Sequence, residues 1–211
     1  VGYLTSGGVI SSQPSTFPSP LYCIYGDALT GDIWLGSKPG GLYRLQRRGT
    51  GFDITHIEAP KGFNIQDVYD IAHDRHGRLW LATMSNGLVC IDHGHYTSIH
   101  FGRENKVRRI AFSAPDLLVA ATTEGLLTVD ITPGHGNHWR LHRRQPNRTS
   151  SLSNNACMDI AGLDGKWYVA TESGGVNMTE DNLDSSSLSF RHYDSNSGLG
   201  SDVILSLTPF S

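Results

Sequence analysis

Charged side chains and a tyrosine occur at the starts of several short apolar runs, where a polar ligand could meet them. Carboxylates and guanidinium groups form charge-assisted hydrogen bonds with polar ligands, and a tyrosine ring offers an apolar face. The same residues could instead only satisfy strand ends and bonds between neighbouring sheets. The candidate ligand-binding residues of this group are Asp67, Tyr69, Asp70, Arg108, Arg109 and Asp159.

A second candidate site is the basic stretch from residue 139 to 148, the single local positive patch of the sequence. Its cations could bind an anionic sugar or a partner domain. The alternative is a solvated loop between repeats. From this stretch we take Trp139, Arg143 and Arg144 as candidate ligand-binding residues.

Catalytic and cofactor motifs are missing from the sequence. It contains no Gly-x-Ser-x-Gly nucleophile elbow, no Gly-x-Gly-x-x-Gly opening a helix and no Gly-Lys-Ser/Thr phosphate loop. Three Asp residues, Asp74, Asp116 and Asp164, recur at equivalent turns, which favours turn capping over acid–base chemistry. We therefore expect no catalytic residue and no cofactor.

Histidine pairs at short spacing invite a metal interpretation. His93 and His95 form one pair, and His135 and His138 form another with His142 nearby. No matching Cys or carboxylate pattern accompanies them, so we expect solvated loop histidines and no metal site.

Composition narrows the functional classes. The 211 residues are 38% hydrophobic and 18% charged and include 24 Gly and 9 Pro, which is typical of a turn-rich globular chain. The net charge of −3 gives no overall basic field, so we expect this segment to bind no nucleic acid. No apolar run is long enough for a membrane helix, and we expect no membrane contact by this segment. Three cysteines form no disulfide framework and are expected to be buried free thiols.

A repeated pattern organises these residues. Its clearest copy runs from Val68 to Asp92 and alternates three β-branched or aromatic runs with two turns that contain Asp, Asn or Gly. Aligning one turn glycine of each copy gives spacings of 46, 38 and 50 residues, a mean near 45. The aligned glycines are Gly41, Gly87, Gly125 and Gly175. This period with four strands per unit predicts an all-β β-propeller of four-stranded antiparallel blades.

The repeat divides the whole chain into blades. We predict one propeller domain or propeller fragment over 1–211, with four full blades and complementary pieces of a fifth. The predicted full blades are 21–61, 62–104, 105–150 and 151–198, and the split blade joins 1–20 with 199–211. Two arrangements stay open: a closed five-bladed ring, and part of a larger ring of seven blades.

The blade motif resembles a known repeat. It reads Val-x-x-Ile, an Asp-x-x-Gly turn, Leu-Trp-Leu-Ala-Thr, a Gly turn and Leu, and the stretch Ser-Leu-Ser-Asn-Asn at 151–155 leads into an inner strand. This pattern is similar to the two-component regulator propeller repeat of hybrid two-component systems, above all those of gut Bacteroidetes. The third copy departs from it, with Leu118 in place of Trp and Pro115-Asp116 in place of Asp-x-x-Gly.

The resemblance implies a function. It implies a non-catalytic periplasmic sensor segment of an inner-membrane histidine kinase, responding to glycan-derived oligosaccharides and controlling the genes for their use. Implied partners are an oligosaccharide or other small ligand, adjacent propeller and β-sandwich domains, and a second copy in a homodimer. The runner-up is a carbohydrate-active propeller enzyme, a hydrolase or lyase, which would need a pair of acids near the axis. A spacer without a ligand is a third interpretation.

Overall fold

The chain folds as a β-propeller of four-stranded antiparallel sheets. The computed structural model describes residues 2–4, 10–12 and 19–209. Within them, four sheets of four strands each follow one another along the chain, each in sequential strand order. The fold class predicted from the repeat is confirmed.

Each sheet lies within one of the four predicted sequence ranges. A separate two-stranded pair comes first, formed by β1 (Gly2–Leu4) and β2 (Ile10–Ser12). Blade 1 contains β3 (Leu21–Gly26), β4 (Ile33–Ser37), β5 (Gly41–Arg48) and β6 (Gly51–Ile57). Blade 2 contains β7 (Val68–His73), β8 (Leu79–Thr83), β9 (Leu88–Asp92) and β10 (His95–Ile99).

The remaining two blades repeat this arrangement. Blade 3 contains β11 (Val107–Ala114), β12 (Leu117–Thr122), β13 (Gly125–Asp130) and β14 (Trp139–His142). Blade 4 contains β15 (Cys157–Leu163), β16 (Lys166–Thr171), β17 (Val176–Thr179) and β18 (Arg191–Tyr193). A 3-10 turn, Ser195–Ser197, follows blade 4. No helix among the described residues is long and apolar enough to cross a membrane.

The strand sequences explain their burial. All five residues of β8 are buried, because both faces of a blade pack against neighbouring blades. Asp164 and Gly165 form a two-residue hairpin turn with φ of 51° and 74°, a conformation that Asp and Gly tolerate. Gly175 ends the turn before β17 with φ of 67°, and a Cβ there would collide with the carbonyl oxygen of Tyr193.

The core lies between blades rather than in one centre. The first and fourth residues of each inner strand face the preceding blade, as Val68 and Ile71 do in a cluster with Leu42 of blade 1. Trp80 is fully buried in the cluster between blades 2 and 3. In blade 1, the equivalent Leu21 and Ile24 are 42% and 68% exposed.

The C-terminal segment lies where the inner strand of a next blade would begin. The N–H of Gly175 donates to the carbonyl of Asp202 (2.9 Å), as Gly41 does to Gln66 between blades 1 and 2 (3.0 Å). Ile204 N–H donates to the carbonyl of Thr171 at 3.1 Å. The predicted split blade involves residues 1, 5–9, 13–18 and 210–211, which lie outside the described residues, so that pairing stays a prediction.

Candidate functional site

The inner strand of every blade carries a β-bulge at its second residue. The pairing register skips from the first to the third residue of the strand in all four blades. A bulge bends the strand and re-aims the side chains beside it, and bulges are common near binding sites. The bulged residues are Tyr22, Tyr69, Arg108 and Met158, and the residues after them are Cys23, Asp70, Arg109 and Asp159. We call these eight residues the bulge ring.

Two aspartates of the bulge ring tie successive inner strands together. Asp70 Oδ1 accepts the N–H of Ile71 (3.0 Å), and its Oδ2 accepts the N–H of Ile110 in the next blade (2.9 Å). Asp159 does the same with Ile160 (2.8 Å) and, in the C-terminal segment, with Leu207 (2.8 Å). A buried backbone N–H needs an acceptor, so each carboxylate stabilises the contact between two strands.

Arg109 lies between the two aspartates. Its Nη1 is 3.6 Å from Asp70 Oδ1, and its Nε is 3.3 Å from Asp159 Oδ1. The Asp70 and Asp159 side chains are 17% and 7% exposed, whereas the Arg109 side chain is 43% exposed. The predicted candidates Asp70, Arg109 and Asp159 are therefore one ion-paired group across blades 2, 3 and 4, and Arg109 is the most exposed of the three.

Partial burial raises the pKa of two groups in this ring. Desolvation raises the pKa of Asp70 above its ordinary value, although the N–H of Ile110 and the charge of Arg109 oppose it. Desolvation, with a smaller effect of Asp70, raises the pKa of the Cys23 thiol to about 12. Cys23 is therefore a protonated thiol at neutral pH, without the thiolate that a nucleophile or metal ligand requires.

The two tyrosines of the ring, in blades 1 and 2, form a cluster with a lysine that lies outside the ring. The rings of Tyr22 and Tyr69 have centroids 4.9 Å apart and an interplanar angle of 42°, and Tyr22 is 52% exposed. Lys38 follows β4, and its Nζ donates to the Tyr69 hydroxyl at 3.4 Å. Asp67 attracts the Lys38 ammonium electrostatically. Of the predicted candidates, Tyr69 is thus part of this cluster, and Asp67 acts on it through its charge.

Arg108 differs from Arg109 in having no counter-charge. It makes no hydrogen bond or ion pair with the described residues, and its Nε is buried without a partner. Its charge acts on Cys157 of blade 4. A guanidinium without an acceptor is a group that an incoming anion or hydroxyl would satisfy.

The basic patch of the sequence lies elsewhere, on and after β14, the outer strand of blade 3. Arg143 Nη2 pairs with Glu124 (2.6 Å), and Arg140 Nη1 pairs with Asp184 (3.1 Å). Trp139 is 43% exposed, and the Arg144 side chain is also exposed. Because β14 and β11 are opposite edges of one sheet, the structure does not bring Trp139, Arg143 and Arg144 together with the bulge ring.

The repeated turn acids have structural contacts. Asp74 accepts hydrogen bonds from the N–H groups of His76 (2.9 Å) and Arg78 (3.0 Å), from Arg78 Nε (2.6 Å) and from Trp80 Nε1 (2.9 Å). Asp116 differs from the expected turn cap, because its carboxylate pairs with Arg75 and His76 of the preceding blade.

Histidines and cysteines do not assemble into a cluster. Within the described ranges, no group of three or more His, Cys, Asp or Glu residues is arranged to hold a metal ion. His93 Nδ1 is 2.6 Å from Asp92 Oδ1 on an exposed turn. Burial, with the charges of Arg140 and Arg148, lowers the pKa of His142 below its ordinary value. All three cysteines are free.

The bulges lie at the end of the propeller where the connections between blades run. Strands in a blade are antiparallel, so the start of each inner strand lies beside the turn between the second and third strands. A cavity of about 620 Å³ opens between blade 1 and its connection to blade 2, and its lining includes Pro39, Gly41, His56, Phe63 and Gln66. We call this end the connection face.

Sequence reasoning missed Tyr22, Cys23 and Lys38. The signal for the first two is in the alignment of the inner strands, because Tyr22 precedes Cys23 as Tyr69 precedes Asp70. Lys38 has no equivalent in that alignment, since its contact with Tyr69 joins two blades through a turn.

The family comparison matches blade 2 and the connection that leads into it. Residues 62–85, from that connection through β8, match the family model described as two component regulator propeller. Blade 2 and the connection before it are therefore the part of the chain that is similar to this repeat. This confirms the resemblance seen in the sequence. No curated protein sequence matches the chain.

Solved structures similar to this chain are themselves propellers of varied function. The extracellular domain of the putative hybrid two component system BT4673 from B. thetaiotaomicron aligns with a TM-score of 0.60 and 21% identity, over 82% of this chain and 21% of that one. Virginiamycin B lyase from Staphylococcus aureus aligns with a TM-score of 0.64 and 13% identity, over 91% and 62%. The Cps50 (Swd1) propeller of Myceliophteria thermophila gives 0.61 and 13%, over 90% and 60%.

These likenesses show the fold alone, because all three identities are low. The chain spans about a fifth of the length of the B. thetaiotaomicron extracellular domain that it matches. A lyase and a putative signalling protein share the architecture, so the function has to be argued from the site.

Proposed function

We propose that this chain is a non-catalytic, ligand-binding sensor segment of a hybrid two-component signalling protein, located in the periplasm. The observation that carries the proposal is the bulge ring, in which four equivalent strands present different side chains around one axis. Other equivalent positions repeat, because packing between blades fixes them, as in the buried residues of β8 and β12. Asp70 and Asp159 repeat one structural contact, but the bulged residue is Tyr in blades 1 and 2, Arg in blade 3 and Met in blade 4, and this variation fits ligand recognition better than a structural repeat would.

The ligand class follows from the side chains of the ring. Tyr22 and Tyr69 offer aromatic faces, which pack on the C–H faces of sugar rings. The Arg109 side chain is 43% exposed, and a guanidinium carries several N–H donors, which suit sugar hydroxyls. We therefore propose glycan-derived oligosaccharides as ligands, with control of the genes for their use as the output of the whole protein.

The proposal includes partners that the ring geometry would require. Leu21 and Ile24 are exposed at one end of the blade stack, and Val203 and Leu205 at the other, with exposures of 42%, 68%, 51% and 66%. A fifth blade formed from 1–20 and 199–211, or the extra blades of a seven-bladed ring, would cover them. Adjacent propeller and β-sandwich domains and a homodimer of the whole protein complete the proposal.

A glycan-cleaving enzyme is the second candidate, and one observation favours it. Asp70 and Asp159 are a pair of acids near the axis, and a raised pKa such as that of Asp70 is what a general acid needs. Against it, each carboxylate already accepts two backbone N–H groups and lies close to Arg109. Carboxylates held in this way have few lone pairs left for proton transfer.

The test is thermal unfolding of the chain with neutral and charged oligosaccharides, with product analysis of the same samples. A ligand at about 100 times its Kd adds roughly 2.7 kcal/mol, which raises the Tm of a domain of this size by about 5–10 °C. We expect a shift without cleavage, reduced in Tyr69→Ala and kept in Trp139→Ala, which alters the basic patch instead. Cleavage that is lost in Asp70→Asn and Asp159→Asn would establish the enzyme.

A further inference from the structure

Lys38 provides a positive charge at the rim of the tyrosine pair. Its Nζ lies 5.7 Å from the centroid of the Tyr69 ring and donates to the hydroxyl of that ring. It forms no ion pair with a carboxylate among the described residues, although Asp67 attracts it from a greater distance. The hydrogen bond with Tyr69 raises the pKa of Lys38, so its charge is fixed at neutral pH.

Other cations of the chain are paired with carboxylates, whereas Lys38, within the part of the chain that the structure describes, is not. Arg109 lies between Asp70 and Asp159, and Arg143 pairs with Glu124, so protein carboxylates already balance both charges. Lys38 and Arg108 are not balanced in this way, and Arg108 has a buried Nε with no acceptor. Leaving a buried donor unsatisfied costs free energy that a bound acceptor would recover.

Lys38 and Arg108 lie on either side of Tyr69 in the order of the ring. Lys38 comes from blade 1 and contacts Tyr69 of blade 2, and Arg108 holds the same bulge position in blade 3. A sugar ring stacked on Tyr69 would thus have a cation toward each neighbouring blade. An acidic substituent of that sugar would meet Lys38, which contacts Tyr69, and Arg108 is the cation at the bulge of the next blade.

We propose that the bulge ring selects saccharides that carry an acidic group, a carboxylate or a sulfate ester, with Lys38 as its primary anion contact and Arg108 as the second. This inference rests on the proposed function, since it names the ligand class of the same site. A charge-assisted hydrogen bond supplies the selectivity, and Tyr22 and Tyr69 supply sugar stacking without preference for charge.

The experiment is calorimetric titration of the full chain with three oligosaccharides of equal length: neutral, uronic-acid-containing and sulfated. We expect at least one acidic probe to bind about tenfold or more tightly than the neutral probe, with the difference shrinking at high salt because ions screen an exposed pair. The two acidic probes distinguish a carboxylate ligand from a sulfate ligand.

Matched variants separate the site from a general charge effect. Lys38→Gln should weaken the acidic probe about tenfold and leave the neutral probe unchanged, and Lys61→Gln, which removes an exposed lysine from the connection between blades 1 and 2, should change neither. Tyr69→Phe keeps the ring and removes the hydroxyl that holds the ammonium group, so its loss should be intermediate.

The outcomes distinguish the two proposals. Equal affinity for neutral and acidic probes, or an unchanged acidic affinity in Lys38→Gln, overturns the acidic selectivity and leaves the sensor proposal standing. A chain that binds none of the three probes counts against both. Equal weakening by Lys38→Gln and Lys61→Gln overturns the assignment of the anion contact to Lys38.

Discussion

The Asp70→Ala substitution tests whether the bulge-ring acids tie the blades together. It removes the acceptor of the Ile110 N–H in blade 3 and of the Ile71 N–H in its own strand, and it leaves Arg109 with Asp159 alone. Ile110 is buried, so its N–H cannot turn to water instead.

The magnitude follows from those losses. A buried donor left without an acceptor costs about 1–3 kcal/mol, and Asp70→Ala creates two such donors. Removing a buried carboxylate recovers part of its desolvation cost, which is the cause of its raised pKa. We expect a net loss of about 2–4 kcal/mol in the free energy of unfolding. Asp70→Asn keeps one acceptor oxygen and should lose about half as much.

The assay is urea unfolding with Asp53→Ala as the matched control. Asp53 pairs with Arg48 on an exposed hairpin, where both side chains are more than half exposed, so its loss should cost under about 0.5 kcal/mol. A cost of Asp70→Ala no larger than that of the control would refute the reasoning.

The pH dependence supplies a second check on Asp70. A raised pKa in the folded state means that the native protein holds this proton more tightly than the unfolded chain does. The Asp70 contribution to stability is therefore largest below the ordinary pKa of 3.8 and falls as the pH rises through the higher folded value. The free-energy gap between wild type and Asp70→Ala should shrink over that window, and a gap that widens would contradict the assignment.

Three further predictions concern the blades themselves. Asp74→Ala should cost about 3–5 kcal/mol of unfolding free energy, because four donors lose their acceptor. Burial acts to raise the pKa of Asp74, but these hydrogen bonds outweigh it and hold the pKa below its ordinary value. The contribution of Asp74 to stability is therefore lost as the pH falls through the lowered pKa, and acid titration of both proteins would detect this loss. Cys157, whose pKa burial raises to about 12, should react with iodoacetamide only on unfolding, and rapid labelling of the native chain would disprove this. Gly175→Ala should cost about 2–3 kcal/mol against about 1 kcal/mol for Gly165→Ala, whose Cβ would meet open space, and equal melting temperatures would contradict the steric argument.

The sequence predicted the blades because their packing is encoded locally. The apolar run Leu79 to Thr83 and its flanking turns occupy the same positions in the sequence pattern and in the structure, where β8 packs on both faces. Trp139 lies outside the repeat in the sequence, yet it begins the outer strand of blade 3. The sequences of outer strands vary more between blades, because one edge of each outer strand faces solvent. The sequence repeat is therefore weakest in the outer strands.

The candidate site was predicted in part. The sequence placed Asp70, Arg109 and Asp159 on successive inner strands, and the structure joins them as ion-paired neighbours. The bulges could not be predicted from the sequence, because one extra residue in a strand hardly alters the hydrophobic pattern. Lys38 was also not predicted as a site residue, because its contact with Tyr69 depends on how two blades pack together.

Hydrogen–deuterium exchange of the chain with and without a bound oligosaccharide tests the central claim most directly. If the bulge ring is the ligand site, binding should slow exchange at residues 21–24, 68–71 and 107–110, where the inner strands begin. Protection limited to 139–144 would place the ligand at the basic patch instead and would contradict the account.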